Sequence, residues 1–205
     1  MSAKTMGKDR RRAHILEAAI AVFARKGFAA SRIDDVAAEA GVAKGTVYLY
    51  FDSRDAILHA AFNAFEEDLL AGIRPVLETN KPALDRLRQL VHAVVNRFEA
   101  EADLTRVLLD FWVAATSATP AGVGIDLARV YSEYRTIVGE LLREAQAEGT
   151  VRSELSEHAA AVVIAMIEGV MVQWLVDPNA VPPGPVAEQI VDVLVQGVAT
   201  GSAER

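Results

Sequence analysis

The segment from Gly41 to Phe51 constrains the fold of this 205-residue chain more than any other part. Just before it, four apolar residues at helical spacing predict one buried stripe, made of Ile33, Val36, Ala37 and Ala40. Gly41 then predicts the end of this helix, because glycine adopts a left-handed C-cap without steric cost. Val42 and Val47 supply apolar anchors across the turn. The pattern predicts two short helices held at a fixed angle, as in a helix-turn-helix.

Cap residues define the predicted limits of these helices. Ser31 is a candidate N-cap, and Asp34, three residues later, resembles the partner residue of a capping box. Ser53 is predicted to cap the next helix and to hold Arg54 near the DNA backbone. Ser31 and Ser53 therefore bracket the predicted DNA-reading segment.

The second short helix presents groups suited to a DNA groove. Lys44 and Thr46 lie in its first turn, and Gly45 has no side chain to keep the backbone from the duplex. Tyr48 and Tyr50 can donate hydroxyl protons to phosphates, whereas Leu49 offers an apolar surface to a thymine methyl group. Phe51 is expected to pack inward. The alternative is an ordinary surface hairpin with a tyrosine-rich face, which the agreement of five features in register disfavours.

The block from Ile33 to Ile57 strongly resembles the DNA-binding domain of TetR-family transcriptional regulators. The resemblance is carried by Val36-Ala-x-x-Ala40-Gly-Val, by Lys44-Gly-Thr-Val-Tyr-x-Tyr-Phe and by Ser53-Arg54-Asp-Ala-Ile. Upstream, the stretch from Arg11 to Gly27 fits the family's first helix. The match covers about the first quarter of the chain. It implies DNA contacts by Arg32, Lys44, Gly45, Thr46, Tyr48, Leu49, Tyr50 and Arg54.

Charge is divided unevenly along the chain. The net charge is −7, yet residues 1–55 contain ten Lys and Arg against seven Asp and Glu. A basic arm that can follow phosphates precedes or begins the first helix, at Lys4, Lys8, Arg10, Arg11 and Arg12. An acidic body would repel DNA and so orient the basic end toward it.

The rest of the sequence predicts further helices separated by Gly, Pro and loop residues, which brings the expected total for the chain to about nine. The expected helices run from Arg54 to about Ile73, Pro82 to about Glu101, Asp103 to Ala118, Ile125 to Glu148, Ser156 to Val176 and Pro185 to Val198. Thr116 to Gly124 is predicted to be a loop. The fold class is all-α: a three-helix DNA-binding domain at residues 1–53 and a helical ligand-binding and dimerisation domain at residues 54–205.

The last two helices are the expected homodimer interface. Their apolar faces comprise Ala161, Ile164, Ala165, Val172 and Leu175, then Ile190, Val191, Leu194, Val195 and Val198. Both faces could also be core. Helix-turn-helix proteins usually read two half-sites through two-fold symmetry, and the resemblance implies a four-helix bundle shared between subunits.

The resemblance also implies a small-molecule pocket in the helical body. Large apolar side chains with a few polar groups can line one, although most such residues belong to a core. The candidates are Phe62, Phe65, Leu69, Phe98, Phe111, Trp112, Tyr131, Tyr134, Met166, Glu168 and Val170. Asp110 and Glu168 interrupt apolar surroundings, where a charge is costly unless paired. An ion pair with Arg135 or Arg106 is one reading, and a cationic ligand over Tyr131 or Trp112 is the other.

Other classes of function find little support in the sequence. No phosphate-binding loop, nucleophile elbow or zinc-protease motif is present, and the chain has no cysteine. The four histidines are scattered singly, so neither a metal site nor a cofactor is expected. The longest apolar run, Ala159 to Ile167, stops at Glu168, and the N-terminus lacks a signal core. A cytoplasmic protein without membrane contact and without enzymatic activity is expected.

Together these features predict a ligand-responsive transcriptional regulator, most simply a repressor that binds a palindromic operator as a dimer. By resemblance, a small hydrophobic or amphipathic effector shifts the helix that begins at Arg54 and weakens operator binding. An activator or a ligand-independent repressor is an alternative within this class. From another class, the alternative is a helical carrier of hydrophobic ligands, or an enzyme, that retains an idle helix-turn-helix.

Overall fold

A computed structural model describes residues 3–115 and 125–198, and it describes side-chain surroundings for residues 7–109 and 125–197. These parts of the chain form nine α-helices and no β-strand, which confirms the all-α expectation. The helices are α1 (Ala3–Lys26), α2 (Ile33–Glu39), α3 (Lys44–Tyr48), α4 (Arg54–Leu77), α5 (Ala83–Ala100), α6 (Ala102–Ala115), α7 (Leu127–Ala147), α8 (Ala159–Val176) and α9 (Pro183–Val198).

The chain divides into two compact units. One consists of residues 1–67 and 101–125, and the other of residues 68–100 and 126–205. Helix α4 therefore supplies residues 54–67 to the first unit and residues 68–77 to the second. The first unit extends beyond the expected DNA-binding domain of residues 1–53, because it also takes the first half of α4 and all of α6.

The core of the first unit is built around the helix-turn-helix. Ile15, Phe23, Val36 and Val47 are almost fully buried, as the apolar spacing of α1, α2 and α3 predicts. Gly41 has a φ of 62°, and the next N–H, of Val42, donates to the carbonyl of Ala37 at 2.9 Å. This left-handed cap fixes the turn between α2 and α3.

One of the two predicted N-caps is wrong. The Ser31 side chain is buried, and its hydroxyl donates to the carbonyl of Gly27 at 2.7 Å. Helix α2 is capped instead at Arg32, whose backbone N–H donates to Asp35 Oδ2 at 2.9 Å. The chain reverses after Gly27, which folds Ser31 back onto the end of α1. Ser53 does cap α4, because its Oγ accepts the N–H of Ala56 at 3.0 Å.

Helix ends in the body differ from the prediction where a proline was read as a stop. Helix α4 continues through Pro75 to Leu77, because a proline one turn from the C-terminus leaves only one internal hydrogen bond unmade.

Helix α7 begins at Leu127, capped by Asp126, which accepts the N–H of Arg129 at 3.0 Å. It ends near Gly149, as predicted. The predicted end of α6 at Ala118 and the loop from Thr116 to Gly124 lie outside the described residues.

In the second unit, α5 packs with α7, α8 and α9 around residues such as Val91, Val95, Leu141 and Val163. Arg86 is buried at the start of α5, where its side chain donates to the carbonyls of Leu77 and Lys81, both at 3.1 Å, and pairs with Glu144. One arginine thus joins the end of α4, the loop after it and α7.

Helix α8 is unusually apolar. Its mean hydropathy is 2.0 over 18 residues, so by length and composition it could cross a membrane, a possibility that the sequence analysis took Glu168 to exclude. A single carboxylate does not offset so many aliphatic side chains. The exposed part of α8 is therefore an apolar surface, which includes Val162, Val172 and Val176.

Candidate DNA-binding surface and effector-contacting residues

The recognition segment consists of an exposed ridge, formed by Tyr48 and Leu49, and one buried anchor residue, Val47. Helix α3 spans only five residues, and Val47 at its centre is fully buried. Tyr48 and Leu49 point away from this anchor, with 47% and 76% of their surfaces exposed. Both side chains are therefore accessible to a binding partner.

The predicted DNA contacts are accessible, although the helix is shorter than expected. Lys44 and Gly45 are exposed, and Thr46 and Tyr50 are half-buried. The helix ends at Tyr48, so Leu49 serves as its C-cap and Tyr50 lies in the following turn. Phe51 is buried, as expected, and the guanidinium of Arg12 lies 4.9 Å from its ring centroid. Arg12, the last residue of the basic arm, thus lies beside the recognition segment.

A shallow depression gathers predicted DNA contacts from three elements. Its lining includes Arg32 at the start of α2, Lys44 and Tyr48 of α3, and Arg54 at the start of α4. Residues that are distant in sequence thus share one face of the first unit. A phosphate group at this face would meet several donors together.

Arg54 is engaged within the protein. Its Nη1 donates to the carbonyls of Phe28 and Ala29, at 2.7 and 3.3 Å, and to that of Ser31. The guanidinium also lies 4.9 Å from the ring centroid of Phe28. Arg54 therefore holds the loop between α1 and α2, and its expected direct contact with DNA remains a prediction.

Acidic partners of the basic residues were missed by the sequence analysis. Lys44 Nζ lies 2.9 Å from Asp34 Oδ2, and this carboxylate raises the pKa of the lysine. Lys26 likewise bonds Asp35 at 2.5 Å and lowers the pKa of that carboxyl. The pairs join separate helices, so no i, i+4 pattern in the sequence could reveal them.

The predicted effector contacts differ in burial. Phe62 and Phe65 are buried in the first unit, and Leu69 and Phe98 in the second. Tyr131, Tyr134, Met166, Glu168 and Val170 are half-buried in the second unit. The side chains of Phe111, Trp112 and Asp110 lie outside the described residues. Helix geometry separates Met166 and Val170 from Glu168, because positions two residues apart project about 200° apart around a helix. These residues of α8 therefore do not line one surface together.

Glu168 is paired with a tyrosine. The Tyr131 hydroxyl donates to Glu168 Oε1 at 2.5 Å, and the rings of Tyr131 and Tyr134 meet edge to face with centroids 6.4 Å apart. Burial raises the pKa of Glu168, and burial together with the adjacent carboxylate raises that of Tyr131. Among the described residues no arginine or lysine pairs with Glu168. Arg106 faces Asp103 at 3.5 Å, and among the described residues neither Arg106 nor Arg135 pairs with Glu168. The pairing of Asp110 lies outside the described side chains.

Within residues 7–109 and 125–197, no three His, Asp or Glu side chains converge as metal ligands would. His14 bonds the carbonyl of Ala40 at 3.0 Å, which links α1 to the end of α2. This histidine has a packing role.

Two family models together match most of the chain. Residues 15–61 match the bacterial regulatory proteins of the tetR family, and residues 83–199 match the C-terminal domain of BetI-type transcriptional repressors. The chain belongs to the TetR family. This TetR-family protein is a transcriptional regulator with a helix-turn-helix DNA-binding region.

Similar proteins extend over almost the whole regulator. The transcriptional repressor KstR2 of Rhodococcus jostii is 25% identical over 199 residues, which cover 96% of this chain and 95% of the repressor. A putative regulator of Saccharomonospora viridis, solved with choline, superposes with a TM-score of 0.80 at 22% identity, covering 94% of this chain and all of the other. The fatty acid degradation regulator FadR of Bacillus halodurans gives 0.79 at 22% identity, covering 91% and 95%.

Proposed function

We propose that this TetR-family regulator is a homodimeric repressor that binds a palindromic operator and is released by a small hydrophobic or amphipathic effector. The observation that carries the proposal is the exposed ridge of Tyr48 and Leu49 on the buried anchor Val47. In this arrangement the fold stays intact whether or not DNA is bound, and the ridge is free to enter a major groove.

Operator contact combines positioning with base reading. Arg32, Lys44 and the tyrosine hydroxyls meet phosphates, whereas Thr46 and Leu49 reach base edges. Gly45 has no side chain, and no other protein atom lies within 4 Å of the place where a Cβ atom would be. The backbone at Gly45 is therefore open to close approach by the duplex. Arg54 contributes by holding the loop that precedes α2.

An exposed apolar stripe on α8 supports the dimer. It consists of Val162, Ala165, Gly169, Val172 and Val176, spaced alternately by three and four residues, with Val193 exposed on α9. This is the spacing at which one helix packs along another, and the small residues at its centre allow close approach. A second copy of the chain would cover the stripe in a closed two-fold dimer.

The residues of this interface differ from those expected. Ile190, Val191 and Leu194 are buried within the subunit, where α9 packs on α5, so they belong to the core. Ala165 and Val172 are exposed, and Ala161, Ile164, Leu175 and Val195 are half-buried. Val198 lies outside the described side chains. Helix α8 thus carries most of the proposed seam. We propose that a second copy of the chain, and not a membrane, covers the apolar face of this helix.

Effector release requires that the ligand discriminate between two states. A ligand that binds both forms equally shifts nothing, so the effector must favour a form in which the two recognition helices no longer match the half-sites. Helix α4 is suited to transmit this change, because one continuous helix carries residues of both units. The similar regulator that is named for fatty acid degradation supports an amphipathic effector.

The test is to recover DNA from a bacterial genome on the immobilised regulator and to sequence it. We expect enrichment of a palindrome whose half-sites lie about one helical turn apart. A cytoplasmic repressor should release this DNA when its effector is added. A ligand carrier or an enzyme with an idle helix-turn-helix would retain fragments without a shared sequence, and that result would refute the proposal.

A further inference from the structure

Glu168 is an energetically costly residue for its place in the fold. It is half-buried on α8, a helix otherwise built almost wholly from apolar residues and Gly. An ionised carboxylate in such surroundings needs a charged or hydrogen-bonding partner to offset lost hydration. Within the described parts of the chain, Tyr131 is its hydrogen-bond partner, and no basic side chain pairs with it.

Glu168 contacts Tyr131, and the ring of Tyr131 in turn contacts that of Tyr134. Tyr131 and Tyr134 meet at an interplanar angle of 76°, so their rings form two walls of a corner, and the Tyr131 hydroxyl reaches Glu168 Oε1. A tyrosine hydroxyl has one proton to donate, so one hydrogen bond leaves most of the acceptor capacity of the carboxylate available. Aromatic faces and a carboxylate both attract a positive charge.

We propose that Tyr131, Tyr134 and Glu168 form a recognition site for an organic ammonium group, so that the effector of this regulator is a cationic amphiphile. The inference rests on the effector binding proposed above and names its chemistry. A quaternary ammonium would lie against the tyrosine rings, and a protonated amine could also donate to Glu168. Ile164 and Leu175 lie on the same side of α8 as Glu168 and offer apolar surface to the rest of the ligand.

The proposal assigns separate roles to the three side chains. The carboxylate supplies the opposite charge, the rings supply surfaces that favour a poorly hydrated cation, and the Tyr131 hydroxyl positions both. Burial raises the pKa of Glu168, which marks an environment where the carboxylate lacks full compensation in the free protein. A bound cation would supply that compensation.

The test is calorimetry of the 205-residue protein, without DNA, with three ligands of equal chain length: decyltrimethylammonium, decanol and decanoate. The two ionic ligands are kept below their micelle concentrations, and decanol is kept below its solubility limit. We expect the ammonium ligand to bind about tenfold more tightly than decanol, as cation–π and ion-pair contributions of about 1 to 2 kcal/mol imply. Decanoate should bind most weakly.

Two variants test whether the preference for the ammonium ligand depends on Glu168 and Tyr131. Glu168→Gln should reduce the advantage of the ammonium ligand to about twofold while leaving decanol affinity unchanged, and Tyr131→Phe should reduce it about threefold. Glu140→Gln, an exposed acid on α7, is the matched control and should behave as wild type. A role confined to folding would change the affinities of all three ligands together. Should Glu168→Gln fail to fold, Tyr131→Phe still tests the site.

Several outcomes would overturn the inference: no binding of any ligand, tightest binding of decanoate, or an ammonium preference that survives Glu168→Gln. Because the titrations contain no DNA, any of these would leave the operator proposal standing if the genomic palindrome is still recovered. If no palindrome is recovered but the ammonium ligand still binds as expected, the proposed repressor function is refuted and the ammonium site is supported.

Discussion

The recognition segment around α3 and the helix α8 both expose apolar side chains, but for different reasons. In the recognition segment, Leu49 projects from a short helix fixed by one buried residue, Val47, and by a glycine turn. On α8, almost every position is apolar, and only the packing of α5, α7 and α9 determines which face stays open. Local sequence thus specifies the first surface, whereas tertiary packing specifies the second.

The largest expected effect comes from placing a charge on the open face of α8. Val172→Glu should leave the subunit folded, because Val172 is 39% exposed, but should prevent a second copy from covering it. Sedimentation should then show monomers, and operator affinity should fall at least about 100-fold because one half-site offers too few phosphate contacts. Ser153→Glu, on an exposed loop position, is the control.

A paired substitution sharpens this prediction. Leu194→Glu places the same charge in the core of the subunit, so it should lower the melting temperature severely, whereas Val172→Glu should not. If Val172→Glu remains dimeric and binds the operator normally, α8 does not form the seam.

The next effect concerns the recognition segment. Lys44→Ala and Tyr48→Ala should each cost about 1 to 3 kcal/mol of operator affinity without changing the melting temperature, because neither side chain is buried. Fluorescence anisotropy at fixed salt measures the change, with the exposed Lys8→Ala in the N-terminal arm as a comparison for loss of general charge. Unaltered affinity in both recognition variants would show that the ridge does not touch DNA.

A smaller effect concerns Glu168 and pH. Because the folded pKa is raised above its unfolded value, the stabilising contribution of this group is present below about pH 4.3 and is lost as the pH rises through the folded pKa. Glu168→Gln should therefore melt at a higher temperature than wild type at neutral pH, and the gap should narrow as the pH falls toward 4. Glu140→Gln should show no such narrowing. A difference in melting temperature that does not change with pH would mean that burial does not destabilise the ionised carboxylate of Glu168.

The smallest effect concerns the ion pair between Lys44 and Asp34. An exposed pair contributes about 0.2 to 1 kcal/mol, so Asp34→Asn should free Lys44 for phosphate and raise affinity for nonspecific DNA only a few-fold. Glu39→Gln removes an exposed acid that pairs with Arg25 and is the matched control. Equal gains in both variants would trace the effect to net charge alone.

The sequence predicted the first unit in detail because its signals are local. Gly41, the apolar stripe and the Ser53 cap each act within a few residues, and the structure agrees with all three. It misplaced the α2 cap, because the burial of Ser31 depends on the fold of the preceding loop. Arg54 likewise looked like a DNA contact until its carbonyl partners, 23 to 26 residues away, were visible.

In the second unit, the helices were predictable from the sequence, but which face of each helix is buried was not. Leu194 and Val172 are equally apolar, yet one is core and the other is exposed, since the neighbours of each come from distant helices. For Glu168 the sequence left an arginine partner or a ligand open. Its hydroxyl partner, Tyr131, is 37 residues away, and no spacing rule links the two.

We propose above that a dimer of this chain reads a two-fold DNA site through α3. The most direct measurement is a salt titration of binding to the recovered palindrome and to the same duplex with one half-site scrambled. We expect the intact palindrome to bind at least about a thousandfold more tightly than random DNA, and the half-scrambled duplex to lose most of that advantage. Equal affinity for the intact and half-scrambled duplexes at every salt concentration would contradict the account.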